Sequence, residues 1–209
     1  MIQHHPSDDH LVQYAAGALP LGMDLLVASH LNYCPACRSA VRAAEAVGGA
    51  MIDEESLVPV ALDRAVPDFD RALEPDPASL AAIDVPSPLR PFIGTRLGDV
   101  RWRTFWPGMQ TVQIRSNDDP SDISLLRLKP GTGMPVHTHG GDELTLVLQG
   151  SYTDETGRYG VGDVAIGDPD LTHRPVADVG AHCVCFTVVD APLRFQSRLA
   201  RLASRFLLR

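Results

Sequence analysis

The chain has 209 residues, a formal net charge of −8 and 44% hydrophobic residues, values that fit a soluble globular protein with one large core or two modest ones. No apolar run approaches the roughly 18 residues needed to span a bilayer, and the first nine residues, MIQHHPSDD, lack the basic and apolar regions of a secretory leader, so a cytoplasmic location is expected. Residues 1–90 carry 13 acidic against 5 basic side chains while residues 91–209 carry 13 of each; an acidic first part argues against direct nucleic-acid binding and suits a basic protein partner.

In chain order, Ser7 with Asp8 and Asp9 reads as a helix start, Leu11, Tyr14 and Ala15 share one face, and Gly17 ends that helix. A second helix is expected over 19–32, with Leu21, Leu25, Leu26 and Leu31 on a broad apolar face. Pro35 fits only the first turn of a new helix, predicting a third from about 35 to 48. A fourth would cover roughly 51–74, interrupted by Pro59 and Pro67. Prolines 75, 77, 86, 88 and 91 then predict an extended linker, with a short helix at 78–83. After Gly98 the hydrophobic period becomes 2. Strands are expected over 100–106, 111–115, 122–128, 144–148, 162–166 and 183–189, separated by Gly, Pro and Asp turns. The fold class is therefore α + β: a small N-terminal helical bundle and a C-terminal antiparallel β jelly roll. The expected boundaries are 1–85 for the helical domain, 86–98 for the linker, 99–195 for the jelly roll and 196–209 for a basic helix. That last segment follows from arginines interleaved with leucines over 192–209.

Two groups of residues carry metal chemistry. His30-x3-Cys34-x2-Cys37 places two thiols and an imidazole at a helix–helix corner, where C-x2-C closes a chelate that one turn of backbone can hold. Cys34, just before Pro35, takes an N-cap-like position that favours its thiolate. A closed zinc site needs a fourth ligand, and His4 and His5 are the nearest candidates. Four cysteines in a cytoplasmic chain point to metal or redox chemistry rather than a disulfide framework. These residues resemble the zinc-binding anti-sigma factor family, in which an N-terminal His lies about two dozen residues before H-x3-C-x2-C. The resemblance implies His5, His30, Cys34 and Cys37 as zinc ligands, and a helical module that clasps an alternative sigma factor of the extracytoplasmic-function type.

The second group is Gly131-x5-His137-x-His139-x3-Glu143-x6-Gly150, with His173 following later. Residues two apart on a strand face the same way, so His137 and His139 present two imidazoles to one cavity. Glu143 opens the next strand and His173 enters from another, making a site for zinc or another divalent metal such as Fe, Mn or Ni. His10 and His182 fall outside both patterns. The spacing resembles motif one of the cupin superfamily, and His173 ends a segment like motif two, with Asp168-Pro169-Asp170 where a Pro-x-Gly turn is usual. Both modules in one chain resemble the ChrR type of zinc-binding anti-sigma factor. That resemblance implies a cupin domain that senses singlet oxygen or a related oxidant, after which the sigma factor is released, and a C-x-C pair matching Cys183 and Cys185. Residues two apart on a strand lie about 6.5–7 Å from each other, too far for a ready disulfide, so those two cysteines are expected as buried thiols or oxidation targets.

The leading expectation is a regulator with no catalytic residues and no membrane or direct nucleic-acid partner. The alternative is a metal-dependent cupin enzyme, dioxygenase-like, with a zinc-binding helical appendage, since fold and ligands do not fix function. The H-x3-C-x2-C separates them, because a free-standing cupin enzyme has no need of it.

Overall fold

The computed structural model describes residues 2–53, 84–114 and 119–197. Helix α1 (Asp8–Ala15) is capped by Ser7, whose side chain accepts the His10 amide proton, and the chain leaves it through Gly17 at φ +63. Helix α2 (Leu21–Leu31) follows Pro20, and α3 (Pro35–Asp53) begins at Pro35, where a missing N–H costs nothing. α3 passes through Gly48 and Gly49, the expected stop, because two glycines lower helix propensity by only about 1 kcal/mol each. Its first half packs Cys37 and Val41 against Leu11 and Val27, while Val47, Met51 and Ile52 are exposed. Of the expected fourth helix, 51–53 belong to α3 and the rest lies outside the described residues, as do the expected helix at 78–83 and residues 198–209.

Eleven strands follow among the described residues: β1 (Arg103–Trp106), β2 (Met109–Gln113), β3 (Asp122–Leu128), β4 (His137–Thr138), β5 (Glu143–Gln149), β6 (Ser151–Asp154), β7 (Gly157–Gly160), β8 (Val164–Gly167), β9 (Val176–Ala177), β10 (Cys183–Val189) and β11 (Arg194–Phe195). A six-stranded antiparallel sheet runs β1-β2-β3-β10-β5-β8. The shorter sheets β7-β6-β9 and β11-β4 complete the jelly roll, joined by bridges at Gly133–Val176 and His137–His173. The expected antiparallel jelly roll is thus observed. The five strands the hydrophobic pattern did not show have two to four residues each, too few to display a period.

The large sheet is covered on both faces, which explains why β10 is buried at every position. On one face Cys183 and Cys185 join Met109, Leu128, Val147 and Tyr152 inside the jelly roll. On the other, Val184, Phe186 and Val188 pack with Leu144, Leu146, Ile123 and Leu125 against Met23, Leu25 and Leu26 of α2. α2 approaches so closely that a Cβ on Gly22 would lie 2.8 Å from Val188 Cγ1 and 2.9 Å from Ile123 Cγ1.

The expected linker needs correction. Residues 86–98 are not an extended linker: they form a 3-10 turn at Ser87–Leu89, a short helix α4 (Arg90–Ile93) and a second 3-10 turn at Leu97–Asp99. Val85, Leu89 and Leu97 are buried in the same core as α2 and the sheet, and apolar burial overrides the proline signal. Strand β1 accordingly starts at Arg103 rather than at 100. Within the expected jelly roll, Arg194 and Phe195 pair with Thr138 and His137. The Phe195 ring covers that of His137, with centroids 5.6 Å apart. Among the described residues no helix is long and apolar enough to cross a membrane.

Candidate metal centres

The first centre forms where helices α2 and α3 and the entering chain converge. His30 ends α2, Cys34 immediately precedes α3, and Cys37 lies in its first turn. Cys34 Sγ caps that turn by accepting the Cys37 amide proton at 3.4 Å. His5 Nδ1 lies 3.4 Å from Cys34 Sγ and 3.3 Å from Cys37 Sγ, and His30 Nε2 lies 3.3 Å from Cys37 Sγ. All four donor atoms sit within 4.8 Å of one another. A tetrahedron with about 2.3 Å Zn–S and 2.0–2.1 Å Zn–N bonds has edges of the same length, so these residues fit a zinc ion. His30 Nδ1 donates to Gly162 O at 2.8 Å, which leaves the Nε2 lone pair facing the cluster. His4 lies outside this cluster, its ring tilted against Tyr159 with centroids 4.4 Å apart. Burial lowers the His30 pKa and pushes the Cys37 thiol up to about 12. The Cys37 thiol therefore resists ionisation until a cation enters.

In the second centre the imidazoles of His137, His139 and His173 converge, with ligand atoms within 4.8 Å of one another. All three are buried. Each Nδ1 is turned outward to an acceptor: His137 to Pro135 O at 3.0 Å, His139 to Asp168 O at 2.9 Å and His173 to Asp154 Oδ2 at 2.8 Å. Every Nε2 is therefore left with a lone pair pointing inward. His137 Nε2 and His173 Nε2 lie 3.0 Å apart, a repulsive contact between acceptors unless a cation sits between them. Glu143 joins through His139: its Oε2 lies 3.0 Å from His139 Nε2, yet the two are not aligned as a hydrogen bond, and both atoms are buried without a partner. Orphaned buried donors aimed at one point fit a divalent ion. Thr145 donates to Glu143 Oε1 at 3.0 Å and holds the carboxylate in place. Burial opposes ionisation of Glu143, while the Thr145 hydroxyl favours its carboxylate form. Beside the imidazoles lies a cavity whose apolar wall includes Leu126, Met134, Tyr152, Cys183 and Cys185.

Comparison with known proteins follows this geometry closely. Residues 92–191 match the ChrR cupin-like domain. Over 98% of its length and 98% of the relative's, the chain is 43% identical to the anti-sigma-E factor ChrR of Cereibacter sphaeroides. The chain belongs to the ChrR family of anti-sigma factors. The crystal structure of Rhodobacter sphaeroides SigE in complex with the anti-sigma ChrR superposes with a TM-score of 0.75 at 41% identity, over 91% of this chain and all of that one.

In this ChrR-family chain His5, His30, Cys34 and Cys37 come together in one cluster and His137, His139 and His173 in another, with Glu143 beside His139, while His4 lies outside the first. The turn before His173 is built differently from the usual Pro-x-Gly: Asp168 Oδ1 accepts the amide protons of Asp170 and Leu171 at 2.9 Å each, so a side chain does the work of a glycine. Cys183 and Cys185 are buried free thiols, as expected, but their sulfurs lean to 3.6 Å, closer than the backbone spacing suggested. Sequence reasoning missed Asp154, Gly162 and Asp163. Asp154 carries no motif, and only its place in a DETG turn after β6 marks it; the other two matter through contacts with residues more than 100 positions away.

Proposed function

We propose that the protein binds and inhibits a sigma factor of the extracytoplasmic-function type, and releases it in response to singlet oxygen or a related oxidative signal sensed through the cupin domain. The observation that carries the first half is full-length likeness to ChrR, which is seen in complex with SigE, together with the conjunction of His5, His30, Cys34 and Cys37 in one cluster. The acidic N-terminal part suits a basic partner surface and a cytoplasmic site of action. Zinc at the first centre would lock α1, α2 and α3 into the shape the partner reads. Zinc or another divalent ion at the second would be held by His137, His139, Glu143 and His173, with the neighbouring cavity and its two thiols open to an oxidising signal. The protein acts as a regulator, not an enzyme.

The test is co-purification of the full chain with an extracytoplasmic-function sigma factor from its own genome, followed by reporter output with and without a photosensitiser. Capture of the sigma factor and light-dependent reporter output support both halves. Failure to capture any sigma factor overturns the reading, and capture without induction overturns the oxidant half alone.

A further inference from the structure

The two centres use ligands distant in sequence, yet one short stretch of chain touches both. At its start, Gly162 O accepts the His30 Nδ1 proton at 2.8 Å. Next to it, Asp163 Oδ1 accepts the amide protons of Gln3 at 2.7 Å and His4 at 3.0 Å, while Oδ2 accepts that of Gly160 at 2.9 Å. Val164 N then donates to His4 O at 3.1 Å. The residue before the ligand His5 is thus pinned at both its N–H and its carbonyl. At the far end of the stretch, Gly167 lies against the His139 ring, where a Cβ would be 2.7 Å from Cε1. Asp168 O accepts the His139 Nδ1 proton at 2.9 Å. In between, β8 is paired to β5, with Gly167 opposite Glu143.

Seven residues therefore hold the outer partner of one ligand from each centre, over about 20 Å of extended chain. There is little slack at the first end: Gly162 adopts φ +88, and a Cβ there would lie 2.8 Å from the Tyr33 Cβ. Outer partners set ligand orientation, and losing one typically weakens a metal site 10–100-fold. A movement of His139 must either break its bond to Asp168 O or shift β8. A shift of β8 carries Gly162 and Asp163, and with them His30 and the chain leading to His5.

We propose that Gly162–Asp168 is a positioning strap, so that the state of the second centre alters the metal affinity of the first. The inference deepens the release reading, and it rests on both clusters holding metal rather than on the identity of the protein partner. It supplies the differential interaction that release requires, since a signal at the cupin centre changes the helical module only if the two are energetically coupled.

Co(II) is the probe, in the full-length chain. Thiolate ligation gives Co(II) a charge-transfer absorption that nitrogen and oxygen ligands do not, so the band reports the first centre alone. His137 belongs to the second centre and hydrogen-bonds to Pro135 O rather than to the strap, so His137→Ala perturbs that centre without removing a bond of the link. It should change the Co(II) affinity of the thiolate site by about five-fold or more, the lower end of ordinary allosteric coupling. In an Asp163→Ala background the same substitution should change it by less than about two-fold. Should Asp163→Ala lose its strand signal in circular dichroism, hydrogen exchange decides instead: the Gln3, His4 and Val164 amides should exchange faster in His137→Ala than in the parent, with Met109–Gln113 unaffected. Thiolate-site affinity equal in parent and His137→Ala, a shift undiminished by Asp163→Ala, or unchanged exchange at those three amides overturns the strap. Absence of the charge-transfer band in the parent overturns the metal reading itself, so the two failures are told apart.

Discussion

His173 can serve as a ligand only while its Nδ1 proton is held elsewhere, and Asp154 holds it at 2.8 Å from a nearly inaccessible position in the fold. Burial opposes the Asp154 charge, but bonds from His173 and Thr156 outweigh it and bring its carboxyl down to about 2. It is therefore ionised at any pH where the imidazoles can bind metal, and it fixes both tautomer and ring orientation. Asp154→Ala should weaken metal binding at the second centre by about 10–100-fold while leaving the Cys/His centre loaded. Competition with a chelator, followed by metal content per chain, measures this; undiminished affinity would show that the ring is oriented by packing alone.

At the scale of elements, the question is what ties α2 to the sheet. Its first turn is anchored by Asp119, whose Oδ2 accepts the Gly22 amide proton at 2.7 Å while Oδ1 accepts that of Ser121 at 2.9 Å. Burial works against the Asp119 charge, yet those amide donors lower its pKa below the ordinary value of 3.8. A depressed carboxylate contributes stability that is present above the unfolded pKa and lost as pH falls through the folded one. Asp119→Asn should thus destabilise the chain near neutrality, and the gap between variant and parent should narrow as the pH drops below about 4. Urea midpoints of both proteins across that range test the sign; a gap independent of pH would mean that geometry, not charge, makes the anchor. The neighbouring Gly22 gives a second expectation. Replacing an exposed helical glycine by alanine ordinarily stabilises by up to about 1 kcal/mol, but here the new Cβ meets Val188 and Ile123 at under 3 Å. Overpacking of that kind costs about 1–3 kcal/mol, so Gly22→Ala should lower the urea midpoint without altering the slope.

For the molecule as a whole, α2 is tied to the sheet through Met23, Leu25 and Leu26 and to the Cys/His cluster through His30. Structural zinc contributes about 10–16 kcal/mol of apparent binding free energy in small modules, more than such a module's own stability. Cys34→Ala or Cys37→Ala should therefore unfold α1 and α3 and abolish sigma-factor capture, while the cupin centre keeps its metal. Circular dichroism and pull-down read the first two effects. A fragment of residues 1–85 contains all four ligands and is expected to retain sigma binding. It also bares Met23, Leu25 and Leu26, which the sheet covers in the full chain, so it should self-associate as its concentration rises, and sedimentation velocity will show this.

The features legible in the chain before folding were local. Chelate spacing put Cys34 and Cys37 on one turn, the period of 2 put His137 and His139 in one cavity, and the capping pattern at Ser7 and the proline at 35 placed two helix starts within a residue. Such signals survive because they depend on neighbours within a few positions of the chain. Tertiary structure decided the rest. The prolines from 86 to 91 look like a linker until Leu89 and Leu97 are seen buried with α2. Asp154, Gly162 and Asp163 have no pattern to betray them, since each matters only through a partner brought near by folding. Burial and hydrogen-bond satisfaction are set by the whole chain, and they joined two separable-looking modules through one sheet.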